Sequence, residues 1–179
     1  MAFIRQAELR TYASRQPAYE IFHKMQEAKA GGRTTVFLSH SHRDRTLALG
    51  LKNKLKEQDV SLYIDWEDTA MPDQPNRETA GRIQRTIVDC AIFLFLATQN
   101  SLTSRWCSWE IGYADGKKPI DSILIVPTVD DQGTYHGNEY LQLYRRLEIP
   151  IQRAEYGVFP PGQTDSGVFL KEYSAQMRR

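Results

Sequence analysis

The segment Cys90–Ala97 most constrains the fold, because every one of its residues is apolar. A strand that is apolar on both faces has to be covered on both faces, which is typical of a central strand in a parallel sheet. Thr34–Ser39 predicts a second buried strand. Between the two, Leu47, Leu51 and Leu55 recur at every fourth position among lysines, which predicts an amphipathic helix. Strands that alternate with helices indicate an α/β fold built on a parallel sheet.

The rest of the chain continues this alternation. Ser104 and Asp44 are residue types that cap the helices that follow them, and Gly116 is expected to end the helix that Ser104 begins. Pro127 is expected to break its strand, because proline lacks a backbone donor. The further predicted strands are Val60–Asp65, Ser122–Val129 and Leu147–Ile151, and the further predicted helices are 78–89, Arg105–Asp115, Tyr140–Leu147 and Val168–Met177.

The start of the chain predicts a separate unit. Residues 1–32 are interpreted as an N-terminal helical extension that packs on the main domain, and Gly31 and Gly32 mark its end. The apolar stripe of this extension consists of Ile21, Phe22, Met25 and Ala28. Residues 33–179 are interpreted as the main domain with a C-terminal helical elaboration.

Composition argues against several classes of function. A formal net charge of +1 provides no basic field for nucleic acid, and the longest apolar run is far too short to span a membrane. The first residues lack the apolar core of a signal peptide, and two cysteines cannot build the disulfide framework of a small secreted protein. We therefore expect a cytoplasmic protein that binds neither nucleic acid nor membrane.

Three polar loops are expected at the carboxyl edge of the sheet, where open α/β proteins bind ligands. They are Ser39–Arg43, Asp65–Arg77 and Thr98–Arg105, and the last leads into a helix that carries Glu110. Trp106 lies four residues before Glu110, so the two side chains share one face of that helix. A flat apolar wall beside one carboxylate suits a planar cationic heterocycle attached to a sugar, whose positive charge the carboxylate stabilises.

The same residues also have simpler interpretations. Glu110 is alternatively a solvated helix glutamate, and Trp106 or Trp109 is alternatively a core aromatic. The aromatic stripe that both tryptophans form with Tyr113 favours a partly enclosed carboxylate.

Other polar residues of the loops give weaker patterns. Asp65 and Glu67 follow a strand and either bind ribose hydroxyls or form a solvated acidic loop. His40 and His42 lack an obvious third metal ligand, so we expect no metal site. Cys107 is either a nucleophile paired with a histidine or a buried structural thiol. The chain has no glycine-rich phosphate loop, which argues against a conventional dehydrogenase or NTPase.

Together these segments resemble a bacterial TIR (Toll/interleukin-1 receptor) domain over about residues 34–130. Val36–His40 is similar to the family's first-strand motif, and Tyr63–Asp65 is similar to its second strand. The loop Trp66–Arg77 corresponds to the family's BB loop. Ser101–Glu110 is similar to the family's pattern of two serines, a tryptophan–cysteine pair and a glutamate.

The resemblance implies a flavodoxin-like three-layer sandwich and, in catalytic members, cleavage of NAD+ at the nicotinamide–ribose bond. Glu110 matches the catalytic glutamate, and Trp106 matches the tryptophan that contacts nicotinamide. The implied substrate-binding residues are Ser39, His40, Ser41, Asp65, Trp66, Glu67 and Trp106. NAD+ is then a substrate, and no cofactor is implied. Because neighbouring TIR domains often complete each other's sites through their BB loops, a homo-oligomer held by TIR–TIR contacts is also implied.

Stand-alone bacterial TIR proteins of this size are similar to the signal generators of anti-phage systems such as Thoeris. The resemblance therefore implies an NAD+ glycohydrolase or ADP-ribosyl cyclase that makes ADP-ribose or a cyclic isomer as an immune signal, which a separate effector protein detects. The alternative is a non-catalytic TIR scaffold or adaptor that binds other TIR domains. The presence of both Trp106 and Glu110 favours the enzyme.

Overall fold

The strands of the described residues join into one sheet of nine strands. The computed structural model describes residues 3–14, 34–58, 60–67, 76–137, 139–148 and 156–177. The strands are β1 (Ile4–Arg5), β2 (Thr34–Ser39), β3 (Val60–Tyr63), β4 (Ile92–Ala97), β5 (Ile123–Val129), β6 (Tyr135–His136), β7 (Arg145–Glu148), β8 (Gly157–Phe159) and β9 (Val168–Phe169). The helices are α1 (Gln6–Ala13), α2 (Arg45–Lys56), α3 (Arg77–Asp89), α4 (Gln99–Leu102), α5 (Arg105–Asp115) and α6 (Leu170–Gln176). Short 3-10 turns cover His42–Asp44, Asp65–Glu67, Ile120–Ser122 and Glu139–Leu143.

Parallel strands form the centre of the sheet in the order β3-β2-β4-β5-β7, and β8 and β9 continue it antiparallel. β4 lies in the middle, and all six of its residues are buried. Leu94 of β4 pairs with Leu38 on one side and with Leu124 on the other. The predicted parallel sheet, with the apolar segment at its centre, is therefore confirmed.

The alternation of side chains along β2 divides the core into two layers. Leu38 belongs to the cluster that α1, α2 and α6 cover, and Phe37 belongs to the cluster that α3 and α5 cover. Helices therefore lie on both faces of the sheet. This arrangement is the flavodoxin-like three-layer sandwich that the resemblance implies.

The N-terminal residues join the sheet as well as packing on it. Ile4 pairs in parallel with Thr128 near the carboxyl end of β5, and α1 packs against α2. The two helices approach so closely that a Cβ on Gly50 would lie 1.9 Å from the carbonyl oxygen of Leu9. An extension that packs on the main domain is thus observed for β1 and α1, although it begins as a strand. The predicted helical stripe within residues 21–28 lies outside the described residues, and the domain boundary stays a prediction.

Several predicted strand limits shift, and one predicted break is wrong. β3 ends at Tyr63 and β4 begins only at Ile92. β5 continues through Pro127. Pairing between β5 and β7 ends at Ile125, so a proline two residues later removes no hydrogen bond from that ladder.

The C-terminal region contains more strand than the sequence predicts. The predicted helix Tyr140–Leu147 is wrong, because a 3-10 turn is followed there by β7. In β7, Arg146 Nε donates to Glu148 Oε1 at 2.7 Å, a contact between residues that share one face of a strand. β7 also includes the start of the predicted strand Leu147–Ile151, whose last residues lie outside the described part of the chain.

The other helices agree more closely with the sequence. α3 begins at Arg77, and α5 covers Arg105–Asp115 with Ser104 as its N-cap. The predicted helix Val168–Met177 begins only at Leu170, because its first residues form β9. Of the helices described, none is long and apolar enough to cross a membrane.

Candidate active site

The carboxyl ends of β2 and β3 meet the helix α5 at one edge of the sheet. Ser39 is the last residue of β2 and contacts Glu110 of α5. His40 follows β2 and approaches Asp65, which lies just beyond β3. The predicted convergence of these loops at the carboxyl edge is therefore found.

Glu110 is a buried carboxyl held by one hydroxyl. Ser104 Oγ accepts a hydrogen bond from Cys107 N and begins α5, so that Glu110 falls on the inner side of the helix, with 5% of its surface exposed. Ser39 Oγ donates to Glu110 Oε2 at 2.6 Å. Burial raises the pKa of Glu110 to about 8, with the hydrogen bond from Ser39 opposing the shift and the charge of Asp65 adding to it. At neutral pH this carboxyl is therefore mostly protonated.

The two tryptophans of α5 have different environments. Trp109 packs against the apolar cluster under α5 and stacks on Tyr113, with ring centroids 6.0 Å apart. Trp106 is 39% exposed and meets Trp109 edge to face at 5.4 Å. The interpretation that one tryptophan belongs to the core holds for Trp109. Trp106, one helical turn before Glu110, keeps an exposed ring.

Asp65 lies between two histidines of different exposure. Its Oδ1 is 3.8 Å from Nε2 of His40, whose side chain is 2% exposed, and its Oδ2 is 3.4 Å from Nε2 of His42, whose side chain is 67% exposed. Trp66 meets the His40 ring edge to face at 4.3 Å. Burial lowers the pKa of His40, and the hydrogen bond to Asp65 raises the pKa of His42. Within the described ranges, no group of three or more His, Cys, Asp or Glu residues has the arrangement of a metal site.

The buried thiol of Cys107 lies close to the carboxyl. Burial raises the pKa of Cys107 to about 12, the hydrogen bond with Ser104 lowers it, and the charge of Glu110 raises it. Because only the thiolate is a strong nucleophile, the structure favours a structural thiol over a nucleophile at this position.

Comparison with known proteins agrees with this geometry. Residues 36–153 match the TIR domain family. The chain belongs to the TIR domain family. It is 39% identical over 111 residues to "Probable 3' cyclic ADP-D-ribose synthase ThsB'" of Bacillus cereus (strain MSX-D12), covering 61% of this chain and 58% of that protein. It is 29% identical over 84 residues to "Putative cyclic ADP-D-ribose synthase TIR2" of Cytobacillus dafuensis, covering 44% of this chain and 22% of that protein.

Two further implied substrate-binding residues of the TIR domain, Glu67 and Ser41, are bound to protein groups outside the set that surrounds Glu110. Lys52 Nζ donates to both carboxylate oxygens of Glu67, at 2.6 and 2.8 Å, and the Glu67 side chain is only 7% exposed. Ser41 Oγ accepts a hydrogen bond from Arg43 N at 3.4 Å and so caps the turn after β2. The TIR fold therefore groups Ser39, His40 and Asp65 with Glu110, and it directs Glu67 towards Lys52 instead.

Two residues of this TIR site have contacts that the local sequence pattern does not indicate. The spacing of His40 and His42 suggests only a possible metal pair, yet His42 contacts Asp65. The prediction that Asp44 caps α2 is wrong, because its side chain makes no capping hydrogen bond. Asp44 instead accepts from Thr98 Oγ1 at 2.5 Å and from Asn100 Nδ2 at 2.7 Å, and so ties the turn after β2 to the loop after β4. The sequence signal for this link is that Asp44 is an acidic residue in the loop that follows a strand at the carboxyl edge of the sheet.

The BB loop of the TIR domain is described only at its ends. Residues 68–75 lie outside the described part of the chain. The loop ends at Asn76, whose side chain accepts hydrogen bonds from Glu78 N and Thr79 N and so caps α3.

Proposed function

We propose that this TIR domain cleaves NAD+ between nicotinamide and ribose and closes the remaining ADP-ribose into a cyclic product. Both relatives described above are named as cyclic ADP-D-ribose synthases. The chain spans 58% and 22% of those two proteins, so the activity is carried over through the site rather than through the whole length. Linear ADP-ribose is the expected side product where water captures the sugar.

The observation that carries the proposal is the buried carboxyl of Glu110 at the end of β2, with the exposed Trp106 ring one helical turn away. Nicotinamide in NAD+ is already cationic, so it departs as a neutral molecule and needs no general acid. The sugar that remains develops positive charge, which a nearby carboxylate stabilises.

The raised pKa of Glu110 suits this role. In the free protein burial favours the neutral carboxyl, with a pKa of about 8. A cationic nicotinamide ribose beside the carboxyl favours its ionised form. Binding of the substrate is therefore expected to drive out the proton and to form the carboxylate where positive charge will develop.

The remaining residues would position the substrate. Trp106 is proposed to stack on the nicotinamide ring, and Ser39 to hold the carboxyl of Glu110. His40, Ser41, Asp65 and Trp66 are proposed to line the ribose and phosphate side of the site, with Glu67 fixing the turn after β3 through Lys52.

Assembly and signalling complete the proposal. We expect the active form to be a homo-oligomer held by TIR–TIR contacts, and we expect the cyclic product to be detected by a separate effector protein in anti-phage defence. NAD+ is consumed as substrate, so no cofactor is required.

The test is incubation of the purified chain with NAD+, followed by chromatography and mass spectrometry. Release of nicotinamide with a cyclic ADP-ribose, lost in Glu110→Ala and in Glu110→Gln, is the expected result. Glu172→Ala changes an exposed glutamate of α6 and serves as the matched control with unchanged turnover. Activity that survives in both Glu110 variants, or no turnover by the unmodified chain even in extract from phage-infected cells, would contradict the proposal.

A further inference from the structure

The ring of His40 has a fixed tautomer. Its Nδ1 lies 3.0 Å from the carbonyl oxygen of Leu38. A carbonyl oxygen only accepts hydrogen bonds, so Nδ1 must carry the hydrogen. In the neutral ring Nε2 then carries no hydrogen, and its lone pair can accept a hydrogen bond or a proton.

This lone pair has no partner among the described residues. Nε2 of His40 is buried, with a side chain only 2% exposed, and it forms no hydrogen bond with any part of the chain that the structure describes. Oδ1 of Asp65 lies 3.8 Å from Nε2; it is also an acceptor and is too distant for a direct hydrogen bond. Asp65 Oδ1 already accepts a hydrogen bond from Trp66 N at 2.9 Å, so the buried Nε2 of His40 is the acceptor that still needs a donor. A ribose hydroxyl supplies such a donor.

The position of Asp65 connects this lone pair to the carboxyl of α5. Asp65 Oδ1 lies 3.8 Å from His40 Nε2, and Ser39, the residue before His40, binds Glu110 at 2.6 Å, so the three groups lie at the same edge of the sheet. A substrate that places its reacting sugar at Glu110 can therefore bring a second sugar to His40. NAD+ has two riboses joined by a pyrophosphate, and ring closure between them brings the two sugars together.

We propose that His40 Nε2 accepts the proton of the ribose hydroxyl that closes the cyclic product. The inference rests on the proposed function and adds the group that favours closure over hydrolysis. A base is needed for this route in particular: closure through a hydroxyl releases the proton of that hydroxyl, whereas closure through a ring nitrogen of adenine uses a lone pair and requires no base.

The step balances in atoms and charge. The bond between nicotinamide nitrogen and the anomeric carbon breaks, and its electron pair leaves with neutral nicotinamide. The hydroxyl oxygen of the second ribose forms the new bond to that carbon, and its proton passes to His40 Nε2. The products are nicotinamide, a cyclic ADP-ribose and one proton.

The proton then has a route to solvent. The imidazolium formed at His40 faces the carboxylate of Asp65, and the other oxygen of Asp65 contacts His42, which is largely exposed. Burial raises the pKa of Asp65, but the hydrogen bond from His42 and the two imidazoles hold it below its ordinary value. Asp65 is therefore ionised at neutral pH and can stabilise the imidazolium.

Before the reaction His40 is neutral, which is the form that can accept a proton. Burial lowers its pKa and His42 adds to this, while the charges of Asp65 and Asp44 and the hydrogen bond to Leu38 oppose it. The rings of Trp66 and His42 cover His40, at 4.3 and 6.3 Å between centroids.

The decisive variant is His40→Asn. The asparagine amide can still donate to the Leu38 carbonyl, in place of Nδ1, but nothing replaces Nε2. Because general-base catalysis contributes about a hundredfold or more, the ratio of cyclic to linear product, measured among the turnovers that remain, is expected to fall by about that factor. His136→Asn is the matched control, because His136 is a buried histidine whose Nε2 is bound to Asp130 at 3.0 Å, and the product ratio should stay unchanged. Retained folding is checked by thermal melting of each variant.

A pH series separates a base from a structural residue. For the unmodified chain, the cyclic fraction is expected to be constant above pH 7 and to fall only at pH values below the ordinary pKa range of histidine, because burial lowers the pKa of His40 and so delays its protonation. In His40→Asn the small remaining cyclic fraction should not depend on pH in this range. A His40→Asn variant with the product ratio and pH profile of the unmodified chain overturns the inference, as does a purely linear product from the unmodified chain.

Failure of the proposed function gives a different result. An unmodified chain that releases no nicotinamide contradicts the proposed function. The role of His40 is then tested by a binding measurement that does not require turnover. Nitrogen-15 NMR of the imidazoles reports the His40 tautomer and its response to added ADP-ribose. A hydrogen on Nδ1 and a shift of Nε2 on addition of ADP-ribose support the inference, and a hydrogen on Nε2 or an unchanged Nε2 shift overturns it.

Discussion

Ser39 Oγ and Glu110 Oε2 lie 2.6 Å apart, and this hydrogen bond joins the end of β2 to the inner face of α5. Glu110 is 5% exposed, so its charge depends on protein groups rather than on water. The hydroxyl of Ser39 favours the carboxylate, whereas burial and the charge of Asp65 favour the protonated form. The balance between these opposing effects determines whether Glu110 is ionised in the free protein, and it therefore affects the pH dependence of stability.

Replacement of Glu110 by glutamine should stabilise the chain at alkaline pH. The pKa of Glu110 is raised from 4.5 to about 8, so the folded chain holds a proton that the unfolded chain releases between these pH values. The free energy of unfolding is therefore unaffected by the ionisation of Glu110 below pH 4.5. Between pH 4.5 and about pH 8 it falls by about 1.4 kcal/mol for each pH unit. Glutamine is neutral throughout. Urea unfolding at pH 5 and pH 8.5 should therefore show Glu110→Gln more stable than the unmodified chain only at the higher pH.

The exposed glutamate of α6 provides the control for this measurement. Glu172→Gln should unfold with the pH dependence of the unmodified chain, because Glu172 lies in solvent. If Glu110→Gln and the unmodified chain gave parallel stability curves from pH 5 to pH 8.5, Glu110 would be ionised in the folded state and the raised pKa would be wrong.

The sequence was sufficient for the parts of the fold that depend on local pattern. The apolar segment at Cys90–Ala97 could be assigned to the sheet centre because both of its faces are apolar. Ser104 could be assigned as a helix cap because a serine side chain satisfies the free backbone donors of the first turn, three residues away. The four-residue spacing of Trp106 and Glu110 likewise follows from helix geometry alone.

Long-range pairing was beyond the sequence. Ile4 joins the sheet by pairing with Thr128 near the end of β5, and nothing in the sequence near Ile4 indicates that partner. Asp44 precedes a helix, so local pattern predicts a cap. The side chain binds Thr98 instead, because the fold brings the loop after β4 within reach. In the site, the sequence placed His42 and Asp65 in two loops but could not show that they touch.

Removal of the Trp106 ring should affect the substrate more than the fold. Trp106 is 39% exposed, and its contact with Trp109 is a single edge-to-face pair, so Trp106→Ala is expected to lower stability by about 1 kcal/mol. Loss of a stacking partner for the cationic ring should reduce kcat/KM for nicotinamide release by about tenfold or more. The comparison is Trp109→Ala, which removes a ring packed on the core and should lower stability by about 3 kcal/mol. Equal losses of stability in the two variants would show that the Trp106 ring is packed as tightly as the Trp109 ring and is not exposed for stacking.

The close approach of α1 to α2 depends on the absence of a side chain at Gly50. A methyl group there would lie 1.9 Å from the carbonyl oxygen of Leu9, which is a backbone atom and cannot rotate away. Gly50→Ala should therefore displace α1 and lower the free energy of unfolding by about 3 kcal/mol. Gly112→Ala is the control: it is also a helical glycine, its Cβ would meet nothing within 4 Å, and it should stabilise the chain by up to about 1 kcal/mol. Stability that rises in both variants would mean that α1 does not pack at this distance.

The carboxylate of Asp44 should contribute more to the free energy of unfolding than a helix cap does. It is 5% exposed and accepts hydrogen bonds from Thr98 and Asn100, so it links the loop after β2 to the loop after β4. Asp44→Ala leaves both donors without this partner and is expected to lower the free energy of unfolding by about 2 to 4 kcal/mol. Asp44→Asn keeps one carbonyl oxygen and should lose about half of that, whereas Asp89→Ala, at an exposed position of α3, should change it by less than about 0.5 kcal/mol. Urea unfolding gives these differences, and an Asp44→Ala variant as stable as Asp89→Ala would show that the two loops are held together by other contacts.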